Sequence, residues 1–174
     1  MEVTKPQVIN PMWGFILRYA FWASLLYAAI YFENFSPLIF INTLQTDLSI
    51  YLTQLWIAFF DMPIQMSGAT LIYEHGLQLE IVNECNGLAA FLFFLAGVLA
   101  YPTPMKVKLI WIILAYFVLL IANTIRLDWI LYHVIEHPED FDFIHEVVGR
   151  YVIAAIPLVL FYFYSDRYTK VESD

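Results

Sequence analysis

Three residues of this chain belong to types that make and break acyl bonds, and each stands at the edge of an apolar run. Cys85 lies in Asn83-Glu84-Cys85-Asn86-Gly87, Arg126 closes Asn123-Thr124-Ile125-Arg126, and His145 is followed by Glu146. A thiol at a helix start beside a cation is expected to ionise below the ~8.5 of a free cysteine, because both features stabilise the thiolate nucleophile. A histidine at a helix N-terminus is pushed toward the neutral form that a general base requires. Arg126 stays charged, so at a lipid boundary it needs a partner or a wet cavity. It is expected either to hold the Cys85 thiolate or to donate to the oxyanion formed when the thiolate attacks a carbonyl. The backbone amides of Asn86 and Gly87 are candidates to complete that oxyanion site, and Gly87 allows close approach.

The elements that must position these groups are membrane helices. Of 174 residues, 61% are apolar, 18% aromatic and 14% charged, far from the composition of a soluble domain. The length suits one integral membrane domain over 1–174. Apolar runs at about 12–32, 85–101, 107–126 and 146–164 predict an all-α polytopic membrane protein with about four transmembrane helices. The first run is longer than a signal-peptide core and lacks a small-residue cleavage site, so it is expected to remain as an anchor. The stretch 37–60 carries Asn42, Gln45, Asp47, Thr53 and Gln54, and reads as an amphipathic helix, with a fifth span as the alternative. Between 70 and 81, Leu77, Leu79 and Ile81 alternate with Gln78 and Glu80 after a His75-Gly76 turn, which predicts a small β-hairpin.

The cations set the expected orientation. With four spans, both termini and the 102–108 loop share one side, holding Lys5, Lys106, Lys108, Arg167 and Lys170, whereas 33–84 and 127–145 contain no Lys or Arg. The positive-inside rule then makes the termini cytoplasmic and the segment 33–84 extracytoplasmic. Cys85, Arg126 and His145 come to one depth on the outer face. Despite a net charge of -8, no basic cluster points to nucleic acid. A single cysteine excludes an internal disulfide and any CxxC motif.

Glu84-Cys85-Asn86-Gly87 opening an apolar helix, Asn123-x-x-Arg126 closing the next and His145-Glu146-x-x-Gly149 opening the last resemble, in that order, the exosortases and archaeosortases. The resemblance covers roughly residues 71–164 and is to a short-form, exosortase H-like member. Larger members carry additional spans, and the familiar Cys-Ser-Gly reads Cys85-Asn86-Gly87 here. The resemblance implies a membrane-embedded cysteine peptidase or transpeptidase without a cofactor. Its substrates would be exported proteins with a C-terminal recognition motif, a hydrophobic helix and a basic tail. Cys85 would form a thioester, released by water or by an amine on a cell-surface acceptor. Cys85, Arg126 and His145 are the expected catalytic residues. Asn83, Glu84, Asn86 and Gly87 flank the nucleophile, Asn123 shares a helix face with Arg126, Arg150 lies about a turn from His145, and Asp128 and Glu146 are candidates to orient that histidine.

Two other readings fit parts of the sequence. His133 and His137 are four apart, which puts both rings on one helical face, and with His145 they outline a zinc or haem enzyme. The thiol mechanism needs no metal. A non-enzymatic membrane scaffold or assembly factor would use Cys85 only as packing. A transporter is disfavoured because the middles of the spans carry almost no ionisable groups.

Overall fold

The computed structural model describes residues 11–32, 38–73 and 76–169. Lys5, Lys170, Glu74 and His75 lie outside them. The protein is an all-α polytopic membrane protein with a small antiparallel sheet. Its elements are α1 (Pro11–Tyr31), α2 (Ile39–Phe59), β1 (Ile64–Ser67), β2 (Thr70–Tyr73), β3 (Gln78–Glu80), a 3-10 turn (Asn83–Cys85), α3 (Leu88–Ala100), α4 (Met105–Glu136), the short α5 (Phe141–Phe143), a π-helical turn (Ile144–Gly149) and α6 (Arg150–Thr169).

Three helical stretches, Met12–Tyr31, Met105–Glu136 and Pro138–Tyr168, are long and apolar enough to cross a membrane. The expected second span is shorter than the sequence pattern suggests. Residues 83–85 form a 3-10 turn and α3 has only 13 residues, with Ala96 and Val98 fully buried. It is the central helix, packed by α1, α4 and α6. Because α3 is shielded by protein, small residues can fill its surface, whereas the flanking helices turn large side chains such as Leu17, Phe117 and Leu158 outward.

The 32 residues of α4 exceed the expected 107–126. At ~1.5 Å per residue the helix is about 48 Å long, well beyond a ~30 Å hydrocarbon core. Asn123 and Arg126 therefore sit part-way along a continuous helix, since nothing between Arg126 and Glu136 breaks it. Pro138 stops it at the far end, where the His137 amide still donates to the His133 carbonyl.

α2 has an inverted amphipathic pattern. Asn42, Gln45, Thr46, Ser49 and Thr53 are buried on one face, while Phe40, Leu44, Tyr51, Leu55 and Phe59 are exposed on the other. Gln45 near its start accepts a hydrogen bond from Tyr116, and Ile57 near its end shares a core with Leu131 and Val134. The helix thus runs alongside the second half of α4, in the same direction, and does not return beside α3 toward Ala100.

The predicted hairpin is present as β2 and β3, in the register Thr70↔Glu80, Leu71↔Leu79 and Ile72↔Gln78. A third strand, β1, joins it through the Gly68-Ala69 turn, where Gly68 has φ +63. β1 escaped the sequence reading because Ile64-Gln65-Met66-Ser67, although it alternates apolar and polar, is only four residues long. The sheet buries Ile64, Leu71, Tyr73 and Ile81 against Leu127, Ile130 and Val134 of α4. It delivers the chain directly into the turn that carries Cys85.

Candidate active site

Cys85 ends the 3-10 turn and is buried, and its Sγ lies 3.5 Å from Nε2 of His145. Sixty residues of sequence separate the two. His145 belongs to the π-helical turn, an irregularity frequent at functional sites because it redirects side chains within an otherwise regular helix. Its other ring nitrogen, Nδ1, lies 3.5 Å from Oε1 of Glu146, whose Oε2 is 2.6 Å from Arg150. A carboxylate only accepts, so this contact favours the ring proton on Nδ1 and leaves Nε2 as the acceptor facing Sγ. Phe141 stacks on the imidazole at 5.3 Å and an interplanar angle of 16°, fixing the ring plane. Of the two proposed orienting carboxylates, Glu146 reaches His145. Asp128 does not: it is buried on α4, both its oxygens lack a hydrogen-bond partner, and among the described residues no bond joins it to His145.

The Cys85 turn is held by side chains whose polar groups are already occupied. Asn86 Nδ2 donates to Asn42 Oδ1 at 2.7 Å and to Thr46 Oγ1 at 2.9 Å, while its Oδ1 accepts from the Leu88 amide at 2.8 Å. Asn86 therefore closes the start of α3 and ties it to α2. Thr46 also donates to Asn83 Oδ1, and Gln45 to the Asn86 carbonyl. Asn42 and Gln45 entered the sequence reading only as marks of an amphipathic helix, and Thr46 not at all, although their 3–4 spacing on one helical face was a signal for a polar stripe.

Asn123 joins the nucleophile turn to the cation. Its Nδ2 donates to the Cys85 carbonyl at 3.0 Å, and its Oδ1 accepts from Arg126 at 3.3 Å. Two glycines permit this packing. Gly87 has φ +75, and a Cβ there would stand 2.8 Å from Asn123 Cγ; a Cβ on Gly149 would stand 2.9 Å from Arg126 Nε. Arg126 is nine-tenths buried, and its Nε has no partner among the described residues.

Burial pushes the Cys85 thiol up, and the nearby Arg126 guanidinium pulls it down by less, so the net shift is upward. This reverses the expectation from the helix start alone. Sγ of Cys85 thus faces the His145 ring, with the Arg126 guanidinium bordering the same cavity.

Cys85, Arg126, His145, Glu84, Gly87, Glu146 and Arg150 all border one half-open cavity of about 830 Å³. His133 and His137 lie elsewhere. Their rings are 5.1 Å apart and they face Asp140 at 3.7 Å and Glu139 at 3.6 Å, respectively. Among the described residues, no group of three His, Cys, Asp or Glu side chains could hold a metal ion.

Fold and site define a polytopic membrane protein with a thiol–imidazole pair beside a buried arginine. The family model described as transmembrane exosortase (Exosortase_EpsH) matches residues 10–163, and the chain belongs to that family. No curated protein and no solved structure matches it.

Proposed function

We propose that this protein is a cysteine peptidase or transpeptidase that cleaves exported proteins at a C-terminal sorting signal, at the outer face of the cytoplasmic membrane. Family membership suggests a membrane protease-like or transpeptidase-like role in general. The observation that carries the finer reading is the 3.5 Å contact of Cys85 Sγ with His145 Nε2, between helices distant in sequence. The outward orientation rests on the placement of Lys106, Lys108 and Arg167 away from the Cys85 end.

In this reading Sγ attacks the scissile carbonyl carbon while its proton passes to His145 Nε2. A proton-bearing thiol fits general-base activation better than a preformed ion pair. Arg126, with the amides of Asn86 and Gly87, stabilises the oxyanion. Collapse breaks the C–N bond, and the imidazolium returns the proton to the leaving amine, which remains at the head of the hydrophobic helix. The thioester then passes to water or to an amine of a cell-surface acceptor, with His145 again taking the proton.

The test is processing of exported proteins in cells carrying Cys85→Ala, with membrane levels of the variant checked by immunoblot. Loss of every cleaved product at unchanged protein level is the expected result. Retained cleavage removes the thiol mechanism.

A further inference from the structure

The cavity that holds Cys85 does not end at the reacting groups. It continues from the thiol down a slot between α1, α3 and α6, bordered by Ala89, Ala90, Gly97 and Ala154. Small residues on two facing helices leave room for a third helix to approach closely. The rim residues Phe93 and Leu158 are exposed, so the slot opens sideways, on the surface that faces lipid. At its far end Phe15 stacks on Phe161 with ring centroids 5.8 Å apart, and Phe161 lies against Gly97. Those rings make a floor. From Ala89 to Gly97 the slot is about 12 Å deep at ~1.5 Å per residue.

We propose that this slot receives the first two turns of the substrate's hydrophobic helix beyond the scissile bond, entering sideways from the bilayer between α1 and α6. The inference rests on the peptidase reading and adds where, how deep and in which direction the substrate docks. Three observations select that occupant. Catalytic mouth and slot together measure about 830 Å³, the scale of a two-turn helical segment about 10 Å wide with side chains. The nine-tenths-buried Arg126 borders the same space at the end that holds Cys85 and His145, where the scissile carbonyl of a docked substrate would lie. Glu84 borders the mouth, where a helix entering N-terminus first presents the positive end of its dipole, while Glu146 there is already paired with Arg150. A second apolar cavity of about 410 Å³, between α4 and α6, reaches Arg126 but has neither Cys85 nor His145 in its wall, and carries no such match.

The orientation fixes a test. In the full chain carrying Cys85→Ala, which leaves substrate uncut, a benzophenone side chain replaces Ala154, Leu158 or, as a lipid-facing control on α4, Leu114. After irradiation in the producing cells, the site of each adduct is mapped by mass spectrometry. The expected adducts from Ala154 lie in the apolar C-terminal segment of exported proteins, within about eight residues after the cleavage site. Those from Leu158 fall about one turn further along, and Leu114 yields none. Adducts from Ala154 and Leu158 only with lipid or with a second copy of this chain overturn the docking, as does the reverse order of the two positions. Processing in the wild type that stops in Cys85→Ala, together with lipid-only adducts, rejects the slot and keeps the peptidase. Processing that continues in Cys85→Ala rejects the peptidase itself.

Discussion

His145 and the pair His133/His137 stand in the same stretch of sequence and in neighbouring helical turns, yet their surroundings differ in kind. His145 has a thiol on one ring nitrogen, a carboxylate near the other and an aromatic ring on its face. His133 and His137 are close to each other and to the acids of the Pro138–Asp140 turn, with no nucleophile among the partners described. Residue type and helical spacing favoured the second pair for metal chemistry. Convergence of different elements favours the first for acyl transfer, because a reaction needs unlike groups at one point.

The largest effect is expected at the thiol–imidazole pair. Cys85→Ala and His145→Ala should each lower processing on the order of 10³-fold or more, measured as cleaved exported protein, while His133→Ala and His137→Ala stay within about twofold. Equal losses in the two histidine groups would erase the contrast.

Arg126→Ala should cost about 10²-fold to 10³-fold in processing, the usual effect of removing an oxyanion donor. The same variant sharpens the comparison through pH. Thiolate increases as pH rises through the thiol pKa, and burial moves that pKa upward while Arg126 opposes it. Alkylation of Cys85 in membranes should therefore climb with a midpoint above the free-thiol value of ~8.5 in the wild type, and higher still in Arg126→Ala. A wild-type midpoint well below the free-thiol value would restore the preformed thiolate and remove the general-base step.

Glu146→Gln is expected to act more mildly, by about 10-fold on processing, since it only orients the imidazole. Its effect should exceed that of Asp128→Asn, since the Asp128 carboxylate makes no hydrogen bond to His145 among the described residues. The smallest effect on chemistry, but a clear one on stability, belongs to the turn itself. Asn86→Ala strands Asn42, Thr46 and the Leu88 amide, and should destabilise the detergent-solubilised protein by about 1–3 kcal/mol in thermal unfolding. Unchanged stability would mean that α2 does not anchor the nucleophile.

The sequence by itself determined the membrane class and the hairpin, because apolar run length, alternation and charge placement act locally along the chain; it put Arg126 at a helix end, whereas the structure puts it part-way along α4. It also made Gly87 and Gly149 visible within their motifs, without saying what each glycine admits. Only the tertiary structure decided that Asn123 bridges Cys85 to Arg126, that Glu146 and not Asp128 meets His145, and that α2 turns its polar face inward to hold Asn86. The contacts of Asn123 with Cys85 and of Asn42 with Asn86 join residues 38 and 44 positions apart through helix packing, and no local pattern specifies which face of one helix meets another. The thiol shows the same division: a helix start and a nearby cation argue for a lower pKa, whereas burial, which depends on the whole fold, carries it the other way.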